Sequence, residues 1–233
     1  MTKMMTKLNE FEKIIGYQFK NKDILKEALT HRSYLNEKPS WGVPHNERLE
    51  FLGDAVLELV ISEFLFKKYS NKPEGELTSY RAALVNYQFL SKVAIEINLN
   101  EFIFLSRGEA KDTSKAREVI LANAMESVIG ALYLDGGYEV TSDFARKFIS
   151  VHIDEIIAKE LHRDAKSMLQ EIIQEKRRVT PTYRLMEEWG PDHQKRFRMG
   201  VYFGEELAAE GEGESKQEAE TEAAKNALKN HVS

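Results

Sequence analysis

An all-α domain followed by a small α+β domain of order α-β-β-β-α is what the patterning of these 233 residues predicts. Three observations carry the prediction. Apolar residues recur at helical spacing from residue 7 to about 157. The period then changes to strand-like alternation at 182–188 and 197–203. Between the two regimes lies the charged run Lys159-Glu-Leu-His-Arg-Asp164. The expected layout is a first domain over 7–158, a linker over 159–164 and a second domain over 165–232.

The elements follow in chain order. Leu8, Phe11, Ile14 and Ile15 mark one amphipathic helix, and Ile24, Leu25, Ala28 and Leu29 mark another. Trp41-Gly-Val-Pro-His-Asn46 leads into a long helix with Asn46 as its expected N-cap. That helix runs to about Tyr69 and stops before Asn71-Lys-Pro-Glu-Gly75. Leu77 to Asn98 reads as two further helices, and polar Ser106–Arg117 as a loop. Ile120 to Leu134 is a strongly apolar helix ended by Gly136-Gly137, and Tyr138 to about Ile157 forms another. In the second domain, Ala165, Met168, Leu169, Ile172 and Ile173 make a helical stripe. A weak third strand is expected at Glu206–Glu210. Gly211 and Gly213 then precede a helix with Ala219, Ala223, Ala224, Ala227 and Leu228 on one face. About 68 residues are enough for this unit to fold alone.

Composition narrows the function classes. The chain has no cysteine, which excludes disulfides and thiolate metal sites and fits a reducing cytoplasm. The start lacks an apolar signal region, and no uninterrupted apolar run approaches a membrane span, so a cytoplasmic protein without membrane contact is expected. A net charge of −5 argues against a broad nucleic-acid-binding surface and leaves that role to local basic clusters.

Within the long helix, Glu47, Glu50, Asp54 and Glu58 are spaced 3, 4 and 4 apart and share one stripe. The other positions are largely apolar, and the nearby cation Arg48 lies off the stripe. Like charges at these spacings repel. A dication such as Mg²⁺ would answer them, since hard oxygen ligands suit a hard ion. The stripe alone is equally the solvated face of an amphipathic helix. The apolar helix at 120–134 adds a second clue. Asn123 and Glu126 share a face there, with no Lys or Arg between Ile120 and Leu134. A carboxylate on a buried helix needs a partner or must shift its pKa. That partner is either an interhelical hydrogen bond or a metal shared with the acidic stripe, and two such clues in one helical domain favour the metal.

Asn46-Glu-Arg-Leu-Glu-Phe-Leu-Gly-Asp54 resembles the signature helix of bacterial ribonuclease III. Thr30-His-Arg-Ser33, Glu74-Gly75, Arg81-Ala-Ala-Leu-Val85 and 120–131 fall where that family has similar segments. The carboxy-terminal unit resembles its double-stranded RNA-binding domain. The resemblance implies a homodimeric, Mg²⁺-dependent endoribonuclease, with Mn²⁺ as a substitute. It would cut double-stranded RNA to 5′-phosphate and 3′-hydroxyl ends in rRNA and mRNA processing. By position it implies Glu50, Asp54, Asn123 and Glu126 around the metal. It likewise implies Asp54 and Glu126 as catalytic acids, with Glu47 and Glu74 matching positions that line the catalytic valley. Phe51 matches a dimer-interface aromatic, although ordinary core packing reads equally from its residue type. Hydrolysing a phosphodiester needs an activated water and stabilised phosphoryl and leaving oxygens, all of which divalent metal supplies without a Ser or His nucleophile. His31 and His45, near helix starts, read as capping or packing residues.

The chain departs from the family pattern at two places. Asn123 stands where the best-known members have Asp, which removes one negative charge from the site. An alternative reading is therefore a non-catalytic double-stranded RNA-binding regulator. Gln217 stands where many relatives have Lys, which removes a phosphate contact. In the second domain, Ser215-Lys-Gln-Glu218 reads as a capping box with Lys216 at the first helical position. The resemblance adds Gln170, Glu171 and His193 as RNA-contacting positions, in the shape-and-backbone mode of duplex RNA recognition. Lys176-Arg-Arg178 and Lys195-Arg-Phe-Arg198 are the basic clusters.

Overall fold

The computed structural model describes residues 2–111, 113–191 and 194–231, and the chain forms two compact units, 1–162 and 163–233. Among its described residues the first holds eight α-helices: α1 (Thr2–Ile15), α2 (Lys22–Ala28), α3 (Arg32–Glu37), α4 (Glu47–Lys68), α5 (Glu74–Val85), α6 (Tyr87–Glu96), α7 (Lys115–Phe148) and α8 (Ile153–Ala158). Helix α7 bends at Gly137, whose φ of 80° and ψ of −174° are non-helical. This is the expected break at Gly136-Gly137, without a full stop in the helix.

The core of this unit is the α4–α7 pair. Leu49, Val56, Leu57, Val60 and Ile61 from α4 meet Ala122, Met125, Val128, Ile129 and Leu132 from α7, all buried. Two mid-helix glycines set how closely they meet. A Cβ added at Gly53 would lie 1.8 Å from the Glu126 carbonyl oxygen, and one at Gly130 would lie 2.3 Å from the Leu49 carbonyl oxygen. The two backbones are thus in direct contact, which only residues without a side chain permit.

Three expectations are corrected here. Asn46 sits at the cap position of α4 but makes no side-chain cap bond. Its backbone does the work: the N–H donates to Thr30 O (2.9 Å), and the carbonyl accepts from Glu50 N (2.9 Å) and Ser127 Oγ (3.3 Å). Asn46 is already helical, at φ −76° and ψ −9°, whereas a side-chain cap needs extended backbone at that residue. Secondly, α4 is not buried all round. Phe51, Ala55, Leu59 and Phe66 point outward and are exposed. Thirdly, the stretch Lys115–Ala158 is long and apolar enough to cross a membrane by length and composition. Most of its apolar window is buried among the other helices, as a core helix should be.

The second unit runs α9 (Ala165–Arg177), β1 (Pro181–Trp189), β2 (Arg196–Phe203), β3 (Glu206–Gly213) and α10 (Lys216–His231). The strands form an antiparallel sheet in the order β1-β2-β3. Gly204, at φ 68°, begins the two-residue turn between β2 and β3. Strand β3 extends past the expected Glu210 to Gly213. Gly211 and Gly213 are therefore strand residues, and they let α10 lie on the sheet. A Cβ at Gly211 would sit 2.1 Å from Ala223 N, and one at Gly213 would sit 2.6 Å from Ala219 N. The buried alanines 223, 224 and 227 complete that contact with Leu169, Ile173, Val201 and Phe203.

Gly53→Ala has no space at the crossing and should lower stability by about 1–3 kcal/mol or more. Gly75→Ala, at an α5 position with open space around it, should leave stability unchanged or slightly raised. Urea unfolding of both variants checks this, and equal stabilities would contradict the close crossing.

Candidate active site

The glycine crossing carries the acids of α4 and α7 toward one another. Gly53 lies against the backbone of Glu126 itself, so the neighbours of Gly53 on the acidic stripe face the Glu126 side chain. The electrostatics record this meeting. Burial and the charges of Asp54 and Glu50 push the Glu126 carboxyl up to about 7. Burial and the Glu47 charge push Glu50 up, the Asn123 side chain pulls it back as a hydrogen-bond partner, and Asp54 pushes it up again. Glu50, Asp54, Asn123 and Glu126 therefore form one interacting group.

The outer acids of the stripe have protein counter-charges. Glu47 stands 3.6 Å from Arg32 and 3.7 Å from His45, and Glu58 stands 3.6 Å from Arg81. Arg81 also donates to Ser62 Oγ at 2.9 Å. The stripe is thus less isolated than its sequence suggests, because two arginines and a histidine reach it from outside α4. The inner pair differs. Among the described residues, no Lys, Arg or His forms an ion pair with Glu50, Asp54 or Glu126. An acidic group in such surroundings, with raised carboxyl pKa values, is the electrostatic pattern of a functional site.

Glu74 is not brought to this group within one chain. It opens α5, accepts from Thr78 Oγ1 at 2.8 Å, and lines a cavity of about 420 Å³ with Leu59, Phe66, Leu77 and Arg81. Phe51 is 83% exposed, which overturns core packing as its role. It stands at the lip of a second cavity, of about 640 Å³, with Ile24, Leu49, Leu52 and Leu134. His31 caps α3, with Nδ1 accepting from Ser33 N at 3.3 Å, and its partial burial lowers its pKa.

In the second unit, Gln170 and Glu171 are exposed on α9, and Glu171 pairs with Arg163 at 2.9 Å. Lys216 is exposed at the start of α10, its ammonium 5.9 Å from the Phe197 ring centre. The capping box forms with one shift: Ser215 Oγ accepts from Glu218 N at 3.2 Å, while the Glu218 carboxylate accepts from Glu214 N at 3.0 Å. His193 lies outside the described residues. The Lys195–Arg198 cluster is not a free basic patch. Lys195 pairs with Glu188, Arg196 with Glu214, and Arg198 with Glu187 and Glu212. Antiparallel pairing places these oppositely charged side chains across from one another, which sequence order does not display.

Residues 21–153 match the family model described as ribonuclease-III-like, and residues 165–231 match the double-stranded RNA binding motif. Ribonuclease 3 of a Nitratiruptor species is 44% identical over 225 residues, 97% of each chain. Ribonuclease 3 of Carboxydothermus hydrogenoformans is 46% identical over 221 residues, 95% of this chain and 94% of that protein. The chain belongs to the ribonuclease III family. Among solved structures, the ribonuclease III nuclease domain of Campylobacter jejuni superposes with a TM-score of 0.55 at 43% identity, covering 60% of this chain and 94% of that one. The chain is an endoribonuclease of this family, with a double-stranded RNA-binding domain.

The family implies a divalent metal cofactor, and the residues present can be tested against it. The donors of the group are all oxygen: three carboxylates and one carboxamide, as a hard dication prefers. Their mutual repulsion, which no ion pair among the described residues relieves, is the deficit such an ion would fill. Among the described residues, no three Asp, Glu or His side chains converge closely enough to hold an ion as they stand. The chemistry of the set fits; closing onto an ion would require side-chain movement.

Repulsion within the group sets a pH dependence. The Glu126 carboxyl titrates near 7 in the folded protein and near 4.5 when unfolded, so folding favours its protonated form. Stability in EDTA should therefore fall as pH rises from about 4.5 through 7, by on the order of 1–2 kcal/mol from this group once solvent screens its exposed part. Glu126→Gln should flatten that fall and be more stable than the wild type at pH 8 without divalent ions. Unfolding free energies at pH 5 and pH 8 decide it, and an unchanged slope in the variant would refute the assignment.

Proposed function

We propose that this member of the ribonuclease III family hydrolyses double-stranded RNA with Mg²⁺, leaving 5′-phosphate and 3′-hydroxyl ends. Its cellular work would be rRNA and mRNA processing in the cytoplasm, with Mn²⁺ able to replace Mg²⁺. The observation that carries the reading is the contrast along one helix: Glu47 and Glu58 are answered by arginines, while Glu50 and Asp54, facing Glu126, are not.

Glu50, Asp54, Glu126 and the Asn123 oxygen would hold the ion. Bound there, a divalent cation stabilises charge on the phosphoryl, attacking and leaving oxygens. Asp54 and Glu126 orient the site from two helices locked at Gly53 and Gly130, so their separation is set by backbone contact. Glu47, held by Arg32 and His45, marks the side from which the phosphate backbone approaches. Gln170, Glu171, His193 and Lys216 would hold the duplex through the minor groove and phosphates.

The active form would be a homodimer. The exposed row Phe51, Ala55, Leu59 and Phe66 gives α4 an apolar outer face that a second copy would cover. The Campylobacter jejuni nuclease domain is described as having a region involved in dimer formation. A two-fold dimer supplies one acidic site per RNA strand. It is also the setting in which Glu74, remote from the acids of its own chain, would reach a site.

Glu126→Ala should abolish cleavage of long duplex RNA in Mg²⁺ while leaving duplex binding in EDTA within about twofold of wild type. Cleavage at wild-type rate would refute the site. Phe51→Asp should convert the dimer to a monomer in sedimentation equilibrium. A dimer of unchanged affinity would remove α4 from the interface.

A further inference from the structure

We propose that residues 159–162 are a strap clasped to α5 through His162. The clasp keeps about 13 Å of tether in reserve and puts the joint between the two units at the 162–163 peptide. The sequence of this stretch is that of a charged linker. Its residues are nonetheless engaged one after another.

Helix α8 ends in a closed turn. Lys159 N donates to Glu155 O at 3.0 Å, Glu160 N to Ile157 O at 3.0 Å and Leu161 N to Ile156 O at 2.9 Å. The last two are the paired bonds of a Schellman cap, and Glu160 takes the left-handed conformation that this cap uses, at φ 53°. Such a conformation is uncommon for a residue other than glycine. It persists where the surrounding structure holds the chain in place.

That hold comes from two successive residues of α5. The His162 carbonyl accepts a hydrogen bond from Ser79 Oγ. The His162 ring stands edge-on to the Tyr80 ring, with centres 4.8 Å apart and planes at 79°. Tyr80 is a firm seat. It is buried, its ring lies 5.5 Å from that of Tyr69, and its hydroxyl donates to Glu76 at 3.0 Å. Glu76 is paired in turn with Lys72 at 2.7 Å. His162 Nδ1 is buried without a hydrogen-bond partner, a cost that the ring packing and the backbone bond must offset.

The next two residues are engaged within the second unit. Arg163 pairs with Glu171 at 2.9 Å, and Asp164 caps α9 by accepting from Ser167 N at 2.9 Å. The strap is therefore stored against the nuclease unit. Unclasped, its four residues would add about 13 Å of extended chain. Lengthening a tether lowers the effective concentration of one joined module at the ligand of the other. The clasp on α5 thus sets the reach of the RNA-binding unit.

The test uses the full-length protein without RNA or metal, so its outcome is separate from that of the divalent reading. Nuclear Overhauser spectra of the unaltered protein should show a cross-peak between the His162 and Tyr80 ring protons. Trypsin, which cuts after Lys159, is then timed on wild type, Ser79→Ala, His162→Ala and the double variant. The double variant should be cut there about tenfold faster than wild type, with the single variants between, because cleavage follows the population of the open form. Urea unfolding should stay unchanged. An absent cross-peak would overturn the strap. So would a double variant that unfolds at the wild-type urea midpoint and is cut after Lys159 at the wild-type rate. If the double variant fails to fold, the cross-peak in the unaltered protein decides alone.

Discussion

At Gly53 and Gly130 two helices touch backbone to backbone, and the nuclease unit is organised around that contact. Helix pairs usually keep 8–10 Å between axes because side chains stand between them. Here the Glu126 carbonyl occupies the space that a Cβ of Gly53 would need. The consequence is geometric first and chemical second. Leu49, Val56 and Leu57 from α4 and Met125, Val128 and Ile129 from α7 are drawn into one core on either side of the crossing. The acidic residues adjoining the glycines have no freedom to separate. Mid-helix glycine is unfavourable by helix propensity, and the chain accepts this at the two positions where a larger residue would push Asp54 away from Glu126.

That enforced proximity creates an electrostatic problem which the fold solves only in part. Arg32 and His45 flank Glu47, and Arg81, reaching from α5, stands beside Glu58. Each of these pairs is at least partly exposed and contributes modestly to stability. Their effect is to confine the unanswered charge to Glu50, Asp54 and Glu126. The Asn123 side chain eases Glu50 alone. A carboxyl raised to about 7 is the residue of the problem, visible on Glu126, the member on the more buried helix.

The fold was largely visible in the hydrophobic periods, because each helix and strand buries a face and burial imprints a period. The acids Glu50, Asp54 and Glu126 were visible for a related reason: charge on an apolar helix stands out against its surroundings. Other features left no such mark. Gly53 and Gly130 look like weak points of two helices until the partner backbone is seen lying on them. Arg81 lies 23 positions beyond Glu58 in the chain, and nothing local announces their pairing. The outward direction of Leu59 was hidden because exposed apolar residues read as core in a helix rich in leucine and valine, and that of Phe51 was legible only through the family resemblance. Gly211 and Gly213 stand before the last helix in the sequence, but their role as the seat of that helix on a strand left no local mark.

The second unit shows how an acidic chain can carry a motif that binds a polyanion. Its sheet arginines are held by glutamates: Arg184 by Glu205, Arg198 by Glu187 and Glu212, and Arg177, at the end of α9, by Glu206. A guanidinium already paired offers little to a phosphate, since the carboxylate beside it repels the same anion. Unpaired cations are therefore few, with Lys216 and Arg178 lacking a carboxylate partner among the described residues. Each phosphate contact contributes roughly 0.9 to the log–log salt slope on the B-DNA scale. A surface with so few free cations should depend on salt only weakly. Binding must then draw on hydroxyl contacts and on the shape of the duplex, which is how double-stranded RNA is chiefly distinguished. Weak single contacts of this kind gain most from linkage. Two such units joined through a nuclease dimer would raise each other's effective concentration without a further contact to RNA. Phe51 and its neighbours on α4 would then govern the affinity for RNA as well as the pairing of the acidic sites.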